Sequence, residues 1–154
     1  MKMIPEGTDI PALSAQLSED GVAFSNPELA NNQEVQAPIE AALQDSHGIA
    51  VVDVHPQRLA DTRDIAQELQ DATGLDTVIV QTTRNVSAVS DTYSRAAIES
   101  AQTALPQGID QVTLLDQFYS GVDPLGVPWP IIVVAVLLLA AASAAVAFTS
   151  ATRK

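Results

Sequence analysis

Two carboxylates, a histidine and an arginine are the side chains of this sequence whose positions could support chemistry. Asp53 and His55 close one apolar run, Thr82, Thr83 and Arg84 close another, and Asp91 stands at the head of a helical pattern. Open α/β sheets take ligands outside the carboxyl ends of their strands, so a site is expected there. Asp53 and Asp91 together would offer oxygen ligands to a hard cation such as Ca²⁺. His55 and Arg84 are the accompanying ligand candidates, Arg84 for an anion. The competing reading makes Asp91 a helix N-cap and Asp53 a solvated strand-end residue.

Other chemistries find less support. A serine hydrolase needs an activated serine with a base and an orienting acid. Ser87, Ser90 and Ser94 lie near candidate partners, but His47 and His55 are the only histidines and no Gly-x-Ser-x-Gly elbow is present. Without cysteine there is no thiolate zinc site, thiol nucleophile or disulfide. Neither the phosphate-binding P-loop nor the dinucleotide glycine pattern occurs. Asn85-Val-Ser87 matches a glycosylation sequon, which matters only for a domain exported in a eukaryote.

Charge is sharply segregated. Residues 1–127 carry 5 Lys+Arg against 19 Asp+Glu, a formal charge of −14. Such a domain repels phosphate backbones, which excludes nucleic acid as a partner class. No charged residue occurs from Pro128 to Thr149, and Arg153 and Lys154 follow.

The elements that would position the candidates alternate. Asp9 can cap a short helix through Leu17, and residues 21–25 suit a short strand. Residues 34–46 read as a helix with Val35, Ile39, Ala42 and Leu43 on one face, closed by His47-Gly48. Residues 49–54 form a nearly all-apolar run, as expected of a strand covered on both faces. Residues 59–72 give the clearest helix, with Ile65, Ala66, Leu69 and Ala72 in its stripe and Gly74 at its end. Residues 77–82 are a second buried-type strand. Ser90 or Asp91 can cap a helix that aligns Tyr93, Ala97, Ala101 and Ala104. After Pro106-Gln-Gly108, residues 109–119 align Val112, Leu115 and Phe118 or Tyr119. The order argues for an α/β fold with a small, partly parallel sheet flanked by helices.

The expected organisation is a short N-terminal helix or arm over 1–19, the acidic domain over 20–119 and a juxtamembrane linker over 120–129. A single transmembrane helix over 130–149 and a basic tail over 150–154 complete it. The 19 residues from Ile131 to Thr149 would rise about 28 Å as a helix, close to a roughly 30 Å hydrocarbon core. Trp129 and Pro130 suit one interface, and Arg153 and Lys154 the other. Ala140/Ala144, Ala141/Ala145 and Ser143/Ala147 set small residues at i,i+4, a spacing that permits a second helix to approach. The expected partners are therefore the lipid bilayer and a membrane-protein subunit or a second copy of the chain. The two termini disagree on sidedness. Arg153 and Lys154 favour an acidic domain outside, whereas residues 1–10 show no apolar signal region and favour a cytoplasmic one. The cytoplasmic placement is expected, with the other left open.

Asp20-Gly-Val-Ala-Phe-Ser25, Ile39-Glu-Ala-Ala-Leu43 and Gly48-Ile-Ala-Val-Val-Asp-Val54 together resemble the opening of TPM domains. Asp64-Ile-Ala-Gln-Glu-Leu69 and Gly74-Leu-Asp-Thr-Val-Ile-Val80 resemble that family's second helix and next strand. The likeness covers roughly residues 20–105 and lies in pattern more than in distinctive motifs. Thr83–Ser90 stands where the family usually has a longer wing. The layout also resembles small actinobacterial single-pass membrane proteins with such a domain. The resemblance implies a role in maintaining or assembling a membrane complex, with weak phosphatase activity or Ca²⁺ binding in some relatives. A non-catalytic accessory domain is thus the expected function. The alternative is a weak metal-dependent phosphatase with Asp53, His55 and Asp91 near its centre.

Overall fold

The computed structural model of the chain describes residues 3–123 and 136–140. The chain divides into two compact units, Met1–Asp123 and Pro124–Lys154.

Local chemistry sets the helix limits in the first unit. Asp9 accepts the Ala12 N–H at 3.0 Å and starts α1 (Ile10–Asp20). Gly21, at φ 82°, ends it in the left-handed region where a Cβ is penalised. After β1 (Val22–Phe24), Asn26 caps α2 (Pro27–Ala30) and Asn32 caps α3 (Gln33–Ala42). β2 (His47–Val51) leads to α4 (Leu59–Thr73), where the Asp61 carboxylate accepts both the Arg58 N–H and the Arg58 guanidinium. β3 (Thr77–Gln81) and β4 (Val86–Ser90) form a hairpin, followed by α5 (Arg95–Thr103) and α6 (Gln111–Val122), capped by Ser94 and Asp110.

The sheet runs β1-β2-β3-β4, with β1/β2 and β2/β3 parallel and β3/β4 antiparallel. Alternate side chains feed two cores, as the period of a strand requires. Ala23, Ala50, Val78 and Val80 meet Leu13 and Leu17 of α1 and Ile65 and Leu69 of α4. On the other face Val22, Ile49 and Ile79 meet Ile39 of α3, Ile98 of α5 and Leu114, Leu115 and Phe118 of α6. The β1–β2 and β2–β3 crossovers step the same way along the sheet yet pass over opposite faces. They are therefore of opposite hand, and one departs from the right-handed rule.

Both edge strands are met by a glutamine side chain. The Gln16 amide donates to Phe24 O at 3.1 Å and accepts the Phe24 N–H at 3.0 Å, standing in for a neighbouring strand on β1. Gln102 Oε1 accepts the Ala88 N–H of β4 at 3.1 Å. Open strand edges template unwanted pairing; Gln16 engages both groups of Phe24, whereas Gln102 meets a single N–H of β4.

The partly parallel α/β sheet agrees with the sequence reading, with corrections. His47-Gly48 opens β2 instead of closing a helix. A Cβ at Gly48 would lie 2.8 Å from Leu75 Cδ1 and 3.1 Å from Leu17 Cδ2, leucine ends that would have to move aside. Residues 86–90 form a strand not foreseen. Val112 is 39% exposed, while Leu114, Leu115, Phe118 and Val122 are buried. The transmembrane helix expected over 130–149 is also corrected. Among the described residues no helix is long and apolar enough to cross a membrane. The described part of that segment, 136–140, is helical and exposed. The other anchor and packing residues, Trp129, Pro130, Ala141, Ser143, Ala144, Ala145, Ala147, Arg153 and Lys154, lie outside the described residues.

Candidate functional site

The most developed polar cluster of the domain lies at the N-terminal ends of β2 and β3, not at the expected carboxyl ends. His47 is the first residue of β2, Asp76 directly precedes β3, and Tyr93 and Tyr119 come from the chain before α5 and from α6. His47 is buried, and its Nδ1 lies 2.9 Å from the Tyr119 hydroxyl. That hydroxyl also accepts the Gln44 N–H at 3.2 Å. His47 Nε2 faces Asp76 Oδ2 at 3.6 Å. One proton arrangement satisfies the set: Tyr119 donates to Nδ1, and Nε2 carries the hydrogen towards Asp76.

Asp76 is held from its other side. Thr92 Oγ1 donates to its Oδ1 at 2.7 Å and Thr77 Oγ1 to its Oδ2 at 2.8 Å. Ser90 Oγ lies 2.8 Å from Thr77 Oγ1 and accepts the Thr92 and Tyr93 N–H groups. The rings stack as well. His47 meets Tyr93 edge-on at 5.9 Å and Tyr119 at 5.6 Å, and the Tyr93 hydroxyl donates to Gln44 Oε1.

The electrostatics favour neutral rings beside one carboxylate. Burial pulls the His47 pKa below its ordinary value, against the attraction of Asp76. The Thr92 hydroxyl, followed by Thr77, His47 and Ser90, holds Asp76 below the usual carboxylate range despite its burial cost. Burial pushes the Tyr119 phenol up to about 12. An Asp–His–Tyr chain can in principle relay a proton. Here the phenol is harder to ionise than in water, and His47 Nδ1, the Tyr119 hydroxyl and both Asp76 carboxylate oxygens each have a hydrogen-bond partner. The cluster acts as a polar lock between α6, the loop before β2 and the β3–β4 end of the sheet.

The residues singled out in the sequence are not gathered. Asp53 is exposed after β2, with its N–H on Ser25 Oγ at 2.8 Å. His55 is exposed and lines a cleft of about 530 Å³ with Met3, Glu6 and Asp61. Arg84 is exposed in the β3–β4 turn, where its carbonyl accepts from Gln107. Asp91 follows the antiparallel β4, and its N–H bonds Asp76 O, whereas the Val52 N–H bonds Gln81 O. Asp53 and Asp91 therefore sit beyond opposite ends of β3, separated by more than the five steps from Asp76 to Gln81, or about 17 Å along the strand. They cannot share one cation. Asp91 is not the cap of α5, which is Ser94. Among the described residues no group of three or more His, Asp or Glu side chains could hold a metal ion.

In the sequence His47-Gly48 reads as a helix end and no local spacing links it to Asp76, so the lock is not legible there. One signal was available. The chain has two tyrosines and two histidines, and both tyrosines converge on His47.

The fold and this site define a small α/β domain with a mixed sheet and a buried polar lock. A family model described as the membrane protein Rv1476 matches residues 3–154, so the chain belongs to that family of membrane proteins. The description names the membrane and no activity. No curated protein and no solved structure matches the chain.

Proposed function

We propose that the chain is a non-catalytic accessory domain at the membrane, which binds a protein subunit of a membrane complex and supports its assembly or maintenance. The observation that carries this reading is the hydrogen bonding that engages His47 Nδ1, the Tyr119 hydroxyl and the Asp76 carboxylate within the fold. The base, acid and phenol are committed to one another and to backbone groups, as in a structural lock. Membership of a membrane-protein family supports the location. The TPM-like run of elements supports the accessory role by analogy alone.

The phosphatase alternative needs Asp53 and Asp91 on one metal, and the length of β3 separates them. The test uses the intact protein purified from membranes in mild detergent. Recovery of a defined membrane-protein partner in constant ratio, with no phosphoester turnover with or without Ca²⁺, is the expected result. Turnover that needs Ca²⁺ and disappears in Asp53→Asn would overturn it.

A further inference from the structure

β4 is an edge strand whose free side lies between α4 on one face of the sheet and α5 on the other. Thr82 donates to Asn85 O at one end of the hairpin and Asp91 to Asp76 O at the other. Alternation along an antiparallel ladder then turns the backbone of Ser87 and Val89 to β3. The backbone groups of Val86, Ala88 and Ser90 face outwards. Of these donors, Ala88 N–H is met by the Gln102 side chain at 3.1 Å. On β1, by contrast, the Gln16 amide uses both its oxygen and its nitrogen on Phe24.

Clefts of about 180 and 390 Å³ run along this free side, and Arg63 of α4 with Arg95 and Gln102 of α5 lines both. A third, of about 210 Å³, continues past Gln102 to Arg84. These three arginines are most of the 5 Lys+Arg in residues 1–127, so the little positive charge of an acidic domain is collected along one strand edge. Arg95 is held by Glu99 at 2.7 Å, but both side chains are more than half exposed. An exposed pair of this kind is weak and exchanges readily for another carboxylate. Asp91 and Glu99 line the first cleft as well, so with Arg84 the three arginines exceed the local acids by one, and acids elsewhere on the domain are screened beyond about 8 Å at physiological salt.

We propose that this slot is a strand-addition site for an extended, acidic peptide segment of a partner protein. The segment pairs with the outward groups of Val86, Ala88 and Ser90, displaces the Gln102 amide and sets carboxylates on Arg63 and Arg95. A second copy pairing β4 to β4 is disfavoured, because it would bring the same arginines together. The proposal rests on the interaction-domain reading and names its partner chemistry.

The test is amide NMR of the full chain in detergent. The probes are capped ten-residue peptides of alternating valine and glutamate, or of valine and lysine. The glutamate peptide is expected to shift and protect the Ala88 amide, and to bind at least tenfold more tightly than the lysine peptide. Ala88→Pro removes an outward N–H that does not serve the β3 ladder, and is expected to weaken binding at least tenfold. Arg63→Glu with Arg95→Glu, which leaves the strand untouched, is expected to do the same. Absence of binding at millimolar peptide, equal binding of both peptides, or indifference to the arginine reversal overturns the proposal. A membrane partner that still co-purifies with both variants would overturn this site while leaving the interaction-domain reading intact.

Discussion

The Tyr119 hydroxyl lies 2.9 Å from His47 Nδ1 and joins the last helix of the acidic unit to the first residue of a central strand, 72 positions earlier. The same oxygen accepts the Gln44 N–H, so one phenol fixes both the histidine and the turn before it. Its removal leaves the ring nitrogen of buried His47 short of a partner, while the Gln44 N–H belongs to an exposed residue.

Tyr119→Phe keeps the ring contacts with His47 and Phe118 and loses only the oxygen. Orphaned groups of this kind cost about 1–3 kcal/mol. Urea unfolding should show that loss as a lower midpoint at unchanged slope. An unchanged midpoint would mean that the hydroxyl contributes nothing to the lock.

The lock also fixes a pH dependence. The pKa of His47 is lowered on folding from 6.5, so the unfolded chain binds the proton first as pH falls. The stability it contributes is complete above 6.5 and is lost progressively below it. Asp76, also lowered, contributes stability that is present above 3.8 and is lost as pH falls through its folded value. On the alkaline side Tyr119 is raised from 10.0 to about 12, so its contribution holds below 10 and fades between the two values. Unfolding curves across this range should show a decline starting below pH 6.5 that His47→Gln removes. A flat profile from pH 7 to 5 would contradict the assignment.

Gly121 of α6 lies where a Cβ would meet Ala101 Cβ at 2.8 Å and Cα at 3.0 Å. Neither atom can swing aside as the end of a long side chain could. Gly121→Ala should force α5 and α6 apart, at a cost of about 1–3 kcal/mol. Thermal unfolding measures it, and a neutral result would show that the helices have room to separate.

The two glutamines on the strand edges should differ in consequence. Gln16→Ala strips a donor and an acceptor from Phe24 at once, with an expected loss of about 1–3 kcal/mol and an open edge prone to self-association. Gln102→Ala releases only the Ala88 N–H and should cost less. Light scattering with denaturant curves separates them, and equal effects would contradict this ranking.

Much of the scaffold was readable from residue order. Asp9 and Gly21 bracket α1, and Ile65, Ala66 and Leu69 place α4, because caps and 3.6-residue periodicity are local signals. Residues 86–90 were missed. Val-Ser-Ala-Val-Ser lacks the bulky run of β3 and becomes a strand through pairing with it, a tertiary effect. The site was less legible still. Asp53 and Asp91 each follow an apolar or alternating run, but β4 runs antiparallel and carries Asp91 to the other end of the sheet. His47 and Tyr119 meet only because α6 packs across the start of β2, and no local spacing encodes that contact.

The central claim is that this acidic domain works by binding another protein at the membrane. Chemical cross-linking of the chain in its native membranes, read by mass spectrometry, tests it most directly. The account predicts cross-links from the domain to one defined membrane-protein partner in a constant ratio. Cross-links confined to copies of the chain itself would contradict it.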